Sequence, residues 1–112
     1  MFTLFGPSVQ TVSPDDVQKA LATKDQIVLL DVRTKDEYSQ GKIVGSVHLP
    51  LSDLESNISS VVPDKASTIY VYCLSGGRSA SAVGILSKMG YTKAFTMSGG
   101  IGMWKVKGFP VG

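Results

Sequence analysis

Thr68-Ile69-Tyr70-Val71-Tyr72-Cys73-Leu74-Ser75-Gly76-Gly77-Arg78-Ser79-Ala80 reads as a strand, a loop and the opening of a helix. Thr68 to Tyr72 is made of β-branched and aromatic residues, which fit the pleated, half-buried surface of a strand. Ser79 to Lys88 is rich in alanine and offers Val83, Ile85 and Leu86 for burial. It stops before Gly90, a residue suited to closing a helix. Between the two lie paired glycines and an arginine. Cys73, the one cysteine in the chain, stands where the strand gives way to the loop.

The same alternation extends outward in both directions. Upstream, Ile27-Val28-Leu29-Leu30-Asp31-Val32 is an apolar run of strand length, as expected for a strand covered on both faces. A short strand is expected within Val9–Val12. Ser13-Pro14-Asp15-Asp16 then opens a helix: Ser13 is a good N-cap, Pro14 suits the first turn, and the two acids face the positive end of the helix dipole. Val17, Ala20 and Leu21 share a face. Thr34 to Gln40 reads as a short helix, Ser46 to Pro50 as a short strand and Leu51 to Ser60 as a helix with Leu51, Leu54 and Ile58 aligned. Downstream, Lys93 to Met97 is a last strand and Gly99 to Lys105 a last helix. Strands that alternate with helices predict an α/β fold with a central, mostly parallel sheet of about five strands and helices on both faces. Ligands of such folds sit beyond the carboxyl ends of the strands, where Cys73 lies.

Length and composition narrow the classes. The 112 residues predict one domain spanning 1–112, with 43% hydrophobic and 18% charged residues, ordinary for a globular protein. Eleven Lys plus Arg against nine Asp plus Glu leave a net charge of +2, with the basic residues scattered. Neither nucleic acid nor a membrane is expected as a partner. One cysteine excludes an internal disulfide and a multi-thiolate zinc site, and no metal or cofactor is called for. Met1 to Pro7 is apolar but lacks a basic leader, the first lysine is Lys19, and no stretch reaches the ~20 apolar residues of a membrane span. The expectation is a cytoplasmic, reducing location.

A lone cysteine is commonly a small buried hydrophobe, so its neighbours decide. Here main-chain N–H groups of the loop and the positive end of the following helix converge on it. Gly76 and Gly77 let the backbone curl into such a nest. That field favours thiolate over thiol and suits an anion near the sulfur. Arg78 adds a planar, positively charged fork matched to oxyanions.

With these residues in place, the chain resembles the rhodanese family over nearly its whole length. Ser13-Pro14-Asp15-Asp16 is similar to the family's usual start, and Asp31-Val32-Arg33 with Glu37-Tyr38 to its Asp-x-Arg segment. Gly41 to Pro50 resembles its Gly-His-Ile-x-Gly-Ala-x-Asn-Ile-Pro stretch. Cys73 to Arg78 matches the active loop Cys-x-x-Gly-x-Arg. Ser98-Gly99-Gly100-Ile101, Trp104 and Gly108-Phe109-Pro110-Val111 resemble the family's ending. The resemblance implies a sulfurtransferase without cofactor or metal. Cys73 would be the nucleophile, taking sulfur from thiosulfate or a persulfide donor. A thiol or protein-thiol acceptor would then remove it. Leu74, Ser75, Gly76, Gly77 and Arg78 would line the substrate site.

One departure bears on the donor. Family members specialised for thiosulfate often carry a basic residue directly after the cysteine, where this chain has Leu74. Strong thiosulfate affinity is therefore not expected, and a protein or organic persulfide gains ground as donor. Two rival functions remain. One is a sulfur-relay carrier or interaction module with little small-molecule turnover, suited by an apolar loop rim at Leu74. The other is a cysteine phosphatase or arsenate reductase. Those loops set the arginine six positions after the cysteine, whereas Arg78 is five positions on, which narrows the cradle toward a sulfur atom. Elsewhere, Asp31 and Arg33 are expected to form a structural ion pair. His48 is read as a structural histidine, Trp104 as a core lid or a surface anchor, and Ser75 as a candidate hydroxyl donor to bound anion or persulfide.

Overall fold

In a computed structural model, residues 9–112 are described; Met1 to Pro7, the apolar stretch without a basic leader, lies outside them. Ten elements alternate strictly along the chain: β1 (Thr11–Val12), α1 (Pro14–Ala22), β2 (Ile27–Asp31), α2 (Lys35–Ser39), β3 (Val47–His48), α3 (Leu51–Val61), β4 (Thr68–Tyr72), α4 (Gly77–Lys88), β5 (Ala94–Met97) and α5 (Gly100–Val106). The strands form one five-stranded sheet in the order β1-β5-β4-β2-β3. Every pairing is parallel. All strand carboxyl ends therefore share one edge, and each helix amino terminus starts from it.

β2 and β4 pair along their full lengths, from Ile27 opposite Thr68 to Asp31 opposite Tyr72. Successive side chains of a strand point to opposite faces, so two cores result. On one face Leu30, Ile69, Val71 and Cys73 pack with Leu54 and Ile58 of α3 and with Ala82, Val83 and Leu86 of α4. On the other, Leu29, Tyr72 and Met97 meet Val17 of α1 and Ile101 and Trp104 of α5. Helices thus cover both faces, as the strand–helix alternation predicts. Among the described residues no helix is long and apolar enough to cross a membrane.

The capping signal at Ser13 acts where expected. The Asp16 amide donates to Ser13 Oγ at 3.0 Å, capping α1. Thr34 and Glu37 form a reciprocal capping box at the start of α2. Boundaries shift by a residue or two at several ends. The largest consequence is at α4, which starts at Gly77 rather than Ser79. Gly76, at φ +130°, turns the chain without a side-chain cap, and its carbonyl accepts the Ala80 amide at 3.0 Å. The two extra residues bring the helix's free amides closer to Cys73.

Candidate active site

The central strand β4 delivers Cys73 to the carboxyl edge of the sheet, and α5 anchors the start of the loop. The Ile101 amide donates to the Cys73 carbonyl at 2.9 Å and the Gly102 amide to the Leu74 carbonyl at 3.0 Å. These are first-turn amides of a helix, which have no partner inside it. Gly100 permits the approach: its φ is +60°, and a Cβ there would collide with the Cys73 and Leu74 carbonyls. With both carbonyls held on this side, the loop folds its amides back over the sulfur.

The Gly76 amide donates to Cys73 Sγ at 3.0 Å. Ser79 Oγ lies 3.5 Å from the sulfur. That hydroxyl also sits 3.1 Å from the Gly76 carbonyl and 2.6 Å from Thr96 Oγ1. Two hydroxyl protons are thus shared among the neighbouring acceptors. When Thr96 donates to Ser79, the Ser79 proton is free to turn to the sulfur. Cys73 is 1% exposed and belongs to the core on the α3/α4 face, while Leu74, Ser75 and Gly77, which follow it in the loop, are exposed. Burial pushes its pKa up, while the Ser79 hydroxyl and the amides of Ser79, Gly76 and Ser75 pull it down. The hydrogen bonds win, and the thiol titrates below its ordinary value.

Arg78 is placed otherwise than the loop pattern suggests. Its Nη1 and Nη2 donate to Glu37 Oε1 and Oε2 at 2.6 and 2.9 Å, so its fork already holds a carboxylate. The Arg78 hydrogen bonds, with those from Thr34, lower the Glu37 pKa to about 2. Arg78 remains close enough to Cys73 for the thiolate charge to act on it. Leu74 is 51% exposed and forms an apolar rim. Ser75 and Gly77 are exposed and Gly76 is half-buried at the nest.

Other expected roles are structural. Asp31 and Arg33 form a buried pair at 2.8 Å, with Arg33 also donating to the carbonyls of Glu37 and Gly41. His48 Nε2 lies 2.8 Å from the Arg33 carbonyl, and its ring stacks on Tyr38. Trp104 is buried and donates from Nε1 to the Pro110 carbonyl at 2.8 Å. Three features went unread in the sequence: the Ser79–Thr96 hydroxyl pair, the Glu37–Arg78 pair and the work of Gly100. Thr96 left a faint sign as a polar residue inside an apolar strand. Two hollows, of about 360 Å³ beside Tyr91 and about 450 Å³ beside Gln26, lie away from the loop, and no residue of 73–79 lines either.

Comparison with known proteins agrees with this fold. The family described as the rhodanese-like domain matches residues 13–107. The thiosulfate sulfurtransferase PspE of Escherichia coli (strain K12) is 42% identical over 81 residues, covering 70% of this chain and 78% of its own. A sulfurtransferase of Allochromatium vinosum is 30% identical over 103 residues, covering 92% and 94%. Among solved structures, the human single-domain sulfurtransferase TSTD1 superposes with a TM-score of 0.79 at 27% identity, covering 88% of this chain and 97% of that one. A family match that spans most of the chain, and relatives that align with it over most of their own length, lead to one conclusion: the chain belongs to the rhodanese family of sulfurtransferases.

Proposed function

We propose that the chain moves a sulfane sulfur through a persulfide on Cys73. The Cys73 thiolate attacks the outer sulfur of the donor. With thiosulfate, the S–S bond of the donor breaks, its electron pair leaves with sulfite, and Cys73–S–S⁻ forms. With an organic persulfide R–S–SH, the products are Cys73–S–SH and R–S⁻. An acceptor thiolate then attacks the outer sulfur of Cys73–S–SH, carries it away as a new persulfide and returns the Cys73 thiolate. No net oxidation occurs and no cofactor enters. As the chain has a single cysteine, the persulfide cannot close to an internal disulfide. Discharge falls to an outside thiol, as a reducing, cytoplasmic setting supplies.

The observation that carries this reading is the Gly76 amide directed at Cys73 Sγ at 3.0 Å, with the Ser79 hydroxyl on the same sulfur. Donors fixed around a sulfur stabilise negative charge there before and after attack. The Leu74 to Arg78 loop is the substrate site in this mechanism, with its amides as the working groups. Mixing the protein with thiosulfate or an organic persulfide, removing the donor and adding cyanide tests it. Thiocyanate should form from wild type and not from Cys73→Ser; equal thiocyanate from both would end the proposal.

A second reading comes from Leu74. An apolar side chain 51% exposed at the rim suits docking of a protein donor or acceptor better than a small anion. On this reading the chain works as a relay with slow small-molecule turnover. Rapid sulfur uptake from a persulfidated protein, combined with poor thiosulfate turnover, distinguishes it from an enzyme of the free anion.

A further inference from the structure

Arg78 carries the only cationic side chain of the loop, and its charge is matched before any donor arrives. Glu37 meets Nη1 and Nη2 with one carboxylate oxygen each, at 2.6 and 2.9 Å. The carboxylate is itself held in place, because its Oε1 accepts from the Thr34 amide and the Thr34 hydroxyl, both at 3.0 Å. To free Arg78, Glu37 would have to give up a helix cap as well as an ion pair. The other arginine at this edge, Arg33, is locked on Asp31 and on the Glu37 and Gly41 carbonyls. Around them the first turns of α1, α2 and α3 bring Asp16, Asp36 and Asp53 to the same edge of the sheet, together with Asp15, which is paired with Lys107, and the exposed Lys35. A sulfonate group entering here finds neutralised arginines among carboxylates, and an anion stripped of water without a partner is costly.

Resting on the sulfur-transfer reading, we propose that Glu37 is a specificity-determining residue. By engaging the Arg78 guanidinium with both carboxylate oxygens, it withholds that charge from the donor. The site then discriminates against the thiosulfate dianion in favour of an organic or protein persulfide. A persulfide donor loses little by this arrangement. The charge on its leaving group develops on a single sulfur, and it has no sulfonate to be satisfied.

The test compares wild type, Glu37→Gln and Glu37→Gln with Arg78→Ala by steady-state kinetics. The donors are thiosulfate and 2-hydroxyethyl persulfide, whose organic part is uncharged. Glutamine keeps the Oε1 acceptor for Thr34 while removing the charge that binds Arg78. For Glu37→Gln, KM for thiosulfate should fall about tenfold, the scale of one charge-assisted hydrogen bond. Its kcat, and kcat/KM for the persulfide, should stay within twofold. In the double variant KM for thiosulfate should return to the wild-type level. An unchanged or raised thiosulfate KM in Glu37→Gln, a parallel loss with both donors, or a gain that survives Arg78→Ala would each overturn the role of Glu37. Wild type that takes sulfur from neither donor would instead remove the sulfur-transfer reading on which the role rests.

Discussion

At Cys73 two effects oppose each other. Taking a thiolate out of water disfavours it, while the Ser79 hydroxyl and the amides of Ser79, Gly76 and Ser75 favour it, and the balance falls on the side of the thiolate. The alkylation rate by iodoacetamide tracks the thiolate fraction and so rises with pH. The midpoint of that profile should lie below the ordinary cysteine value. Ser79→Ala removes the hydroxyl from that sulfur, so its midpoint should move up, and its rate at pH 7 should fall roughly tenfold, the worth of one hydrogen bond to a charged group. Cover by the loop slows both proteins alike, so the midpoint is the quantity to compare; superimposed profiles would exclude the hydroxyl. Cys73, Gly76 and Gly77 were legible because strand, glycines and helix adjoin in sequence. The Ser79–Thr96 contact was not, since its partners lie 17 residues apart and only the packing of α4 against β5 brings them together. Arg78 shows the complementary failure: its proximity to the sulfur was readable, but its carboxylate partner comes from α2, 41 residues away.

Among the elements, α5 sets the loop and α2 braces it. Gly100→Ala puts a Cβ against the Cys73 and Leu74 carbonyls at a residue with φ +60°. A non-glycine residue in that conformation costs on the order of 1–3 kcal/mol, and the clash adds to it. Urea denaturation should therefore show a loss of at least about 1 kcal/mol, with sulfur uptake falling in the remaining folded protein; a variant with native stability and uptake would show that α5 does not shape the loop. At the α2–α4 contact, Glu37 titrates near 2 when folded and near 4.5 when free. A depressed carboxylate stabilises the fold above its unfolded value and loses that contribution as pH falls through its folded one. The stability gap between wild type and Glu37→Gln should thus be constant above about pH 5 and narrow from about 4.5 toward 2. A gap independent of pH would show that the Arg78–Glu37 pair contributes nothing. The elements themselves were legible from apolar runs, caps and glycines. Their ends were less so, as at α4, where Gly76 starts the helix by backbone conformation and no polar cap announces it.

Over the whole molecule, two cores share the strands of one sheet, so the loss of one should carry the other with it. The chain is expected to unfold as one domain. Trp104, the single tryptophan, reports the α1/α5 core, while far-UV circular dichroism reports all elements. Their urea transitions should coincide, and separated midpoints would divide the chain into independent units. The α/β class was legible from strand–helix alternation. The order β1-β5-β4-β2-β3 was not, because periodicity within a segment carries no information about which strands pair. The proposed function as a whole depends on sulfur becoming covalently bound to Cys73. Intact-mass spectrometry of wild type and Cys73→Ser, each incubated with an organic persulfide and desalted, measures this directly. Wild type should gain the mass of one sulfur atom, removable by a thiol, and Cys73→Ser should gain none; wild type left unmodified, or a serine variant that takes up sulfur, would contradict the mechanism.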